Sequence, residues 1–283
     1  MRRLLATAAL LAAFSAPAYA DDCPQSAAFL DLSKSEGAGP AYARPQVTVS
    51  CTADRVVVES NGIPQFRFRP MTPNPLQAQH YTFRLPRVPQ PATDPKQVPL
   101  LGPVGIAVDG LPIFGPNEDP RDGTADPVLD KLLDPCGGHT AQRGDYHFHV
   151  MYNCFGLPQG KPGVVLGYAF DGYPILAPYE CADAACTTVK KIRSSWRRDT
   201  NARNAWQANR YVEGAGDLDR CNGAVRPDGS YAYYATESFP YFLACYHGVA
   251  DVPAGPGGGP GGGKGPPPPG GPPPFGFPPP IKF

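Results

Sequence analysis

The sequence has no excess of charge of either sign. Its 283 residues include 25 Lys and Arg and 25 Asp and Glu. A basic patch is the usual electrostatic footprint of a protein that binds nucleic acids, and this composition does not favour one. We therefore expect no nucleic-acid partner.

Long hydrophobic runs are also scarce. The main one is N-terminal, where the basic start MRR precedes an apolar run over residues 4–14 and a small-residue site that ends at Ala20. This pattern is typical of a secretory signal peptide, here residues 1–20. The run is too short to span a bilayer and no later segment is long enough, so we expect no transmembrane anchor. The predicted location is periplasmic or secreted.

Familiar catalytic motifs are missing from the part of the chain that we expect to fold. It has no G-x-S-x-G nucleophile elbow, no Walker A loop, and no dinucleotide fingerprint between a strand and a helix. The sequence therefore assigns no catalytic residue. It leaves open whether the protein is an enzyme, and it names no small-molecule substrate.

Proline and glycine are abundant, with 38 and 32 copies. They dominate residues 251–283, which predicts a disordered tail, because such a segment cannot bury enough apolar surface to offset its ordering entropy. Residues 21–250 form the predicted folded part. There Pro and Gly interrupt nearly every apolar run, which predicts short strands and turns, a mainly β fold with little helix. The one helix we expect covers residues 187–209, and residues 86–103 are predicted to be an irregular connection.

The folded part repeats itself. Each copy contains a strand, a D-G-x-P turn, an L-D-x-C-x-G turn and an aromatic strand, in that order. This predicts a tandem internal duplication, with copy one over about 104–154 and copy two over about 166–247. A solenoid is not expected, since arrays need at least three repeats. The aligned stretches are 105–118 on 167–180, 133–139 on 218–224, and 144–149 on 229–234.

Eight cysteines follow the predicted signal peptide. An even number in an exported chain favours disulfides. Because equivalent positions of the two copies should make equivalent bonds, the repeat predicts two of them, and the remaining cysteines then give two more. The predicted pairs are Cys136–Cys154, Cys221–Cys245, Cys181–Cys186 and Cys23–Cys51.

The aromatic strand of copy one, GDYHFH (144–149), differs from its counterpart GSYAYY (229–234) mainly on one face. Alternate side chains of a strand share a face, so His147 and His149 lie opposite the two aromatic rings. The rings recur in copy two, whereas the histidines do not. His139, in the Gly-rich turn after Cys136, is replaced by Ala224. The aromatic face is therefore expected to join the core, and the histidine face is special to copy one.

Three imidazoles with an open position suit zinc or copper. The ordinary alternative is that the histidines make hydrogen bonds to the backbone or to Tyr hydroxyls. The repeat also pairs Glu118 with Glu180, which we expect either near the site or on the plain surface. We predict one copper or zinc ion on His139, His147 and His149, with Asp145 orienting an imidazole and His80 and His247 as reserve ligands.

These motifs resemble those of the YHYH-domain proteins, a family of exported or surface proteins without an assigned biochemical role. The resemblance covers residues 47–249 and departs from the family at Phe148, where a Tyr is usual. It supports the domain boundaries and the YHFH motif at residues 146–149, but it implies no activity. Its motifs are YHFH (146–149), CGGH (136–139), GYAFDGYPI (167–175) and FPYFLAC (239–245).

Two functions fit these features. The first is an exported domain that binds copper or zinc, with catalysis left open. The second is a non-enzymatic module that binds a cell-surface or periplasmic partner protein or a glycan, with structural histidines. Geometry separates them, because imidazoles more than about 6 Å apart that face different ways cannot share an ion at ligand distances near 2 Å.

Overall fold

The computed structural model describes residues 23–118, 125–151, 154–183 and 185–252. Within these ranges the chain is mainly β, as predicted, with one 3-10 helix, Pro24–Ala28, and one short α-helix, α1 (Ala205–Ala208). Neither described helix has the length and hydropathy of a membrane span. The predicted signal peptide and nearly all of the predicted tail lie outside the described residues.

The described residues form 17 strands. In chain order they are β1 (Val47–Cys51), β2 (Arg55–Ser60), β3 (Tyr81–Pro86), β4 (Pro91–Gln97), β5 (Pro103–Ala107), β6 (Pro112–Phe114), β7 (Gly138–Thr140), β8 (Tyr146–Phe148), β9 (Val165–Ala169), β10 (Pro174–Leu176), β11 (Tyr179–Cys181), β12 (Val189–Lys191), β13 (Trp196–Arg198), β14 (Asn209–Tyr211), β15 (Gly223–Val225), β16 (Tyr231–Tyr234) and β17 (Cys245–Gly248).

Eight of these strands form the central sheet, in the order β15-β16-β10-β9-β5-β6-β8-β7. From either edge to the centre, the sheet has equivalent strands in the same order: an edge strand, an aromatic strand and then the two strands of a hairpin. In each segment a hairpin (β5–β6 or β9–β10) is extended by a parallel aromatic strand (β8 or β16) and an antiparallel edge strand. The antiparallel β5–β9 pair joins the segments. This arrangement agrees with the sequence repeat, while descent from one duplicated unit stays a prediction.

The two predicted Asp-Gly turns connect β5 to β6 and β9 to β10. Gly110 and Gly172 have φ of +84° and +87°, which glycine adopts without steric cost. The carboxylates of Asp109 and Asp171 accept hydrogen bonds from backbone N–H groups two residues on, at 3.2 and 3.3 Å. The glycine conformation and the Asp hydrogen bond therefore determine the shape of both turns, and the hairpins of the two segments are connected in the same way.

The aromatic face of β8 lies in the core, as predicted. Tyr146 and Phe148 are fully buried, and Phe66 contacts both rings at centroid distances of 5.7 and 6.1 Å. Full burial of one such side chain is worth about 1.5–3 kcal/mol. This packing fixes the orientation of β8, and therefore the position of the histidines on its other face.

All four predicted disulfides are present, and no cysteine is free. Cys136–Cys154 spans 18 residues around β7 and β8, and Cys221–Cys245 spans 24 residues around β15 and β16. Cys23–Cys51 ties the N-terminal segment to β1. Four disulfides fit an extracellular protein, since such bonds persist in oxidising compartments.

The predicted helix over residues 187–209 is wrong except for the single turn of α1. The segment instead contains strands: β12 pairs with β11, which precedes the segment, and β13 pairs with β14. Its tryptophans, Trp196 and Trp206, contact Phe239 at 5.2 and 5.1 Å, so tertiary packing determines its conformation rather than a helical stripe.

The irregular connection predicted over residues 86–103 is also wrong in part. It contains β4, which pairs antiparallel with β17 near the end of the described chain. Because this partner is distant in sequence, local composition gives no sign of the strand.

Candidate metal centre

The pairing of β7 with β8 brings His139 and His147 together. They are directly opposite partners in this antiparallel pair, and His149 follows two residues after His147 on the same face. Their ring centroids lie 4.8–5.2 Å apart. The three histidines predicted from the repeat are therefore one cluster.

Gly138 and Asp134 make this close pairing feasible. A Cβ on Gly138 would lie 2.4 Å from the carbonyl oxygen of His147, so any larger residue would push β7 away from β8. Asp134 Oδ1 accepts hydrogen bonds from the backbone N–H of Cys136 and Gly138 and from the hydroxyl of Tyr146, at 2.8–3.2 Å. The turn before His139 is thus fixed to the core strand that carries His147.

Glu118 joins the three histidines from the segment that follows β6. Its Oε2 lies 2.7 Å from Nε2 of His139, 2.9 Å from Nε2 of His147 and 2.5 Å from Nε2 of His149. One ligand atom from each of the four residues lies within 4.8 Å of the others. Glu118 is the group that sequence reasoning missed as a ligand. Its only signal was the alignment with Glu180, which did not distinguish a site from a surface.

The other nitrogen of each ring faces a main-chain carbonyl. Because a carbonyl only accepts, each Nδ1 carries the hydrogen, and in the neutral ring each Nε2 is then a lone pair. Three lone pairs therefore converge on a carboxylate oxygen, an arrangement that requires a cation, either a proton or a metal ion, among them. The contacts are His139 Nδ1 to Leu132 O (3.1 Å), His147 Nδ1 to Asp145 O (3.2 Å) and His149 Nδ1 to Gly115 O (2.8 Å).

The cluster is buried on the histidine side. His147 and His149 are fully buried, and His139 keeps 3% of its side-chain surface exposed. The Phe114 ring stacks on the His147 ring at 3.8 Å between centroids. Glu118, at 18% side-chain exposure, is the most open of the four. The way from solvent to the Nε2 atoms therefore lies along the Glu118 side.

Burial and mutual charge shift the pKa values of the cluster. Burial alone would raise the pKa of Glu118, but the charge of His147 and the close contacts with the three imidazoles hold it well below its usual range. Burial lowers the pKa of His149 to about 4. Burial opposes the charge of Glu118 at His147, and the net result is a raised pKa.

Asp145 contacts His147 through its main-chain carbonyl. Its carboxylate Oδ2 lies 3.8 Å from Nη2 of Arg143, and its buried Oδ1 has no hydrogen-bond partner among the described residues. The expected role of the Asp145 carboxylate in orienting an imidazole stays a prediction.

The reserve ligands lie elsewhere. His80 is exposed just before β3, and it lines a shallow polar groove with Glu59 and Tyr81. His247 is on β17, where its ring stacks on Tyr231 at 3.7 Å. Neither belongs to the Glu118 cluster.

The second segment has a different arrangement at the corresponding place. Glu180, aligned with Glu118, accepts hydrogen bonds from Arg226 Nε at 2.8 Å and from the Tyr234 hydroxyl at 2.7 Å. The Cys181 N–H donates to its other oxygen at 2.9 Å. Here protein groups compensate the carboxylate, whereas imidazoles surround it in the first segment.

These features define a candidate metal centre in a disulfide-linked β domain. The chain matches the family model described as YHYH protein over residues 82–248, and it belongs to this family. The match includes all four residues of the cluster. No curated protein and no solved structure matches the chain.

Proposed function

We propose that the protein is an exported metal-binding domain that holds one zinc or copper ion. The ligands are Nε2 of His139, His147 and His149, with the carboxylate of Glu118 as the fourth. The observation that carries this proposal is the convergence of three Nε2 lone pairs on one carboxylate oxygen, with each Nδ1–H donated to a main-chain carbonyl. Metal-bound histidines almost always donate the other ring N–H in this way, which fixes the tautomer and the ring.

The ligand types support zinc or copper. Imidazole nitrogens suit these ions, while magnesium and calcium take oxygen ligands. Thiolate ligands are excluded, because all eight cysteines are in disulfides. Glu118 Oε2 lies 2.5–2.9 Å from the three Nε2 atoms, so these four groups together would hold the ion.

The alternative function, a partner-binding or glycan-binding module with structural histidines, receives less support. That function predicts dispersed imidazoles, whereas the ring centroids lie about 5 Å apart and the Nε2 atoms face one point. No described feature specifically favours a glycan or a protein partner.

The test is calorimetric titration of the disulfide-intact protein with Zn²⁺ and with Cu²⁺. We expect about one ion per chain, and we expect the double variant His147→Ala/His149→Ala to bind none. The matched control is His80→Ala/His247→Ala, which removes two histidines outside the cluster and should retain the wild-type affinity. Absence of binding by the wild type, or an equal loss in the control, contradicts the proposal.

A further inference from the structure

The four groups of the candidate centre are held very differently. Each imidazole is fixed by a carbonyl at Nδ1, and the rings are almost fully buried. For the Glu118 carboxylate, the hydrogen-bond partners among the described residues are the three imidazoles, all at Oε2. Its side chain is also the most exposed of the four. The carboxylate is therefore the member that can leave without disturbing the others.

The second segment shows how a carboxylate at this position is anchored when it has to stay. Glu180 is held by Arg226, Tyr234 and the Cys181 N–H. In the first segment, the residue aligned with Arg226 is Ala141, and the residue aligned with Tyr234 is His149. Neither side-chain anchor therefore has a counterpart at the aligned positions, and among the described residues the three imidazoles are the groups that contact the Glu118 carboxylate.

The charge of an occupied site determines what can replace Glu118. Three neutral imidazoles leave a divalent ion with its full charge of about +2, and Glu118 reduces this to about +1. When Glu118 leaves, the open position favours another anion with an oxygen donor. Among the described residues, the buried rings and Phe114 pack around the cluster, so we expect the incoming group to be small.

We infer that Glu118 is an exchangeable ligand and that a small carboxylate, or a similar small oxygen anion, takes its place on the ion. This inference rests on the proposed function. In the exchange, the bond between the ion and Glu118 Oε2 breaks and a bond from the ion to an oxygen of the anion forms. No electron is transferred, and the three imidazole bonds persist. Three protein ligands with one exchangeable position are the arrangement found in catalytic zinc sites.

The test uses the full chain loaded with Co²⁺, whose visible spectrum reports the ligands, and acetate as the small carboxylate. We expect Glu118→Ala to bind one Co²⁺ at least about 10-fold more weakly than the wild type, since losing a group that only orients a ligand already costs about 10- to 100-fold. Acetate should then shift the spectrum of this variant and recover part of the affinity. Glu118→Gln, which keeps the side-chain shape, should also retain the ion and respond to acetate.

The matched control is Glu180→Ala in the second segment, which should keep the wild-type ion affinity and spectrum. Loss of the ion in both Glu118 variants, or spectra that acetate does not change, would overturn the inference while the wild type still binds metal. If the wild type takes up no ion, the proposed function fails and this inference fails with it. Circular dichroism of each variant separates loss of the site from loss of the fold.

Discussion

The indole Nε1–H of Trp206 donates a hydrogen bond to Oδ1 of Asn117 at 2.9 Å, and Asn117 directly precedes Glu118. The backbone N–H of Glu118 is bonded to the carbonyl of Ala125 at 2.8 Å, and Ala125 forms a β-bridge with Asn204. The 187–209 segment, which carries Trp206 and Asn204, therefore contacts the residue directly before the candidate fourth ligand and the residue that accepts its backbone hydrogen bond.

Trp206→Phe should weaken ion binding. The change keeps an aromatic ring against Phe239 but removes the donor to Asn117, so Glu118 is less well positioned. We expect the dissociation constant for Zn²⁺ to rise about 10-fold, at the lower end of the effects seen for groups that orient ligands. Titration calorimetry measures this, with denaturant unfolding alongside.

Trp196→Phe is the matched control for this prediction. Its indole donates to the carbonyl of Arg220 rather than to the Glu118 segment, although it also contacts Phe239. Equal losses of affinity in both variants would indicate a general packing effect and contradict a positioning role for Trp206.

Asp109 and Asp171 occupy equivalent turns but have different partners. Asp171 Oδ2 accepts hydrogen bonds from the Tyr233 hydroxyl at 2.5 Å and from the Gly248 N–H at 2.9 Å. Asp109 Oδ2 is buried without a hydrogen-bond partner among the described residues. Phe148 stands where the second segment has Tyr233, because both pair in parallel with the equivalent isoleucines of their hairpins. Phe148 therefore lacks the hydroxyl that Tyr233 provides, and Oδ2 of Asp109 has no hydrogen-bond partner among the described residues.

Asp109 should make the stability of the protein depend on pH. Burial raises the pKa of Asp109 from 3.8 to about 7, against backbone hydrogen bonds that lower it. Between about pH 4 and pH 7 the folded protein then holds a proton that the unfolded chain has released. The free energy of unfolding should therefore fall as the pH rises through this window, by about 1.4 kcal/mol for each unit of pKa difference. Denaturant unfolding at a series of pH values measures it.

Two variants check the origin of this pH dependence. Asp109→Asn has no proton to release and should remove this part of the slope. Phe148→Tyr should supply the missing hydroxyl, lower the Asp109 pKa and flatten the slope, with a net hydrogen-bond contribution of about 1 kcal/mol. A slope that is unchanged in Asp109→Asn would show that another group is responsible.

The Cys136–Cys154 disulfide should support ion binding as well as stability. All three histidines lie between these cysteines, within a loop of 18-residue separation. Closing a loop of this size is worth about 3 kcal/mol in the chain-entropy model. Replacing both cysteines by Ala should lower the free energy of unfolding by about this amount and weaken Zn²⁺ binding. The control is the double Ala variant of Cys181 and Cys186. These cysteines are separated by only 5 residues and lie outside the cluster, so this variant should bind Zn²⁺ normally. Equal weakening in the two variants would contradict the prediction.

Local patterns in the sequence predicted much of the fold. β1 and β2 coincide with β-branched runs of the sequence, and the Asp-Gly turns follow from their own chemistry. The repeat predicted Cys136–Cys154 and Cys221–Cys245, since it placed both pairs in the same relation to their aromatic strands. It also separated the two faces of β8, which is why the three histidines could be named before their contacts were known.

The features that sequence reasoning missed depend on distant partners. Glu118 lies 21 residues before His139, and nothing in its neighbours distinguishes it from a surface carboxylate. β4 forms because β17 pairs with it. The 187–209 segment takes its shape from contacts with Phe239 and with Ala125. Tertiary pairing, rather than local propensity, decides these elements.

The pairing of Glu180 with Arg226 has a consequence for the first segment. In the second segment, the Arg226 guanidinium lies 2.8 Å from Glu180 and balances its charge. In the first segment, we propose that a bound ion does so at Glu118. The second segment thus forms the corresponding strand arrangement with protein groups alone around its carboxylate. We therefore expect the domain to stay folded when a metal ion is removed from the proposed site at Glu118 and the three histidines.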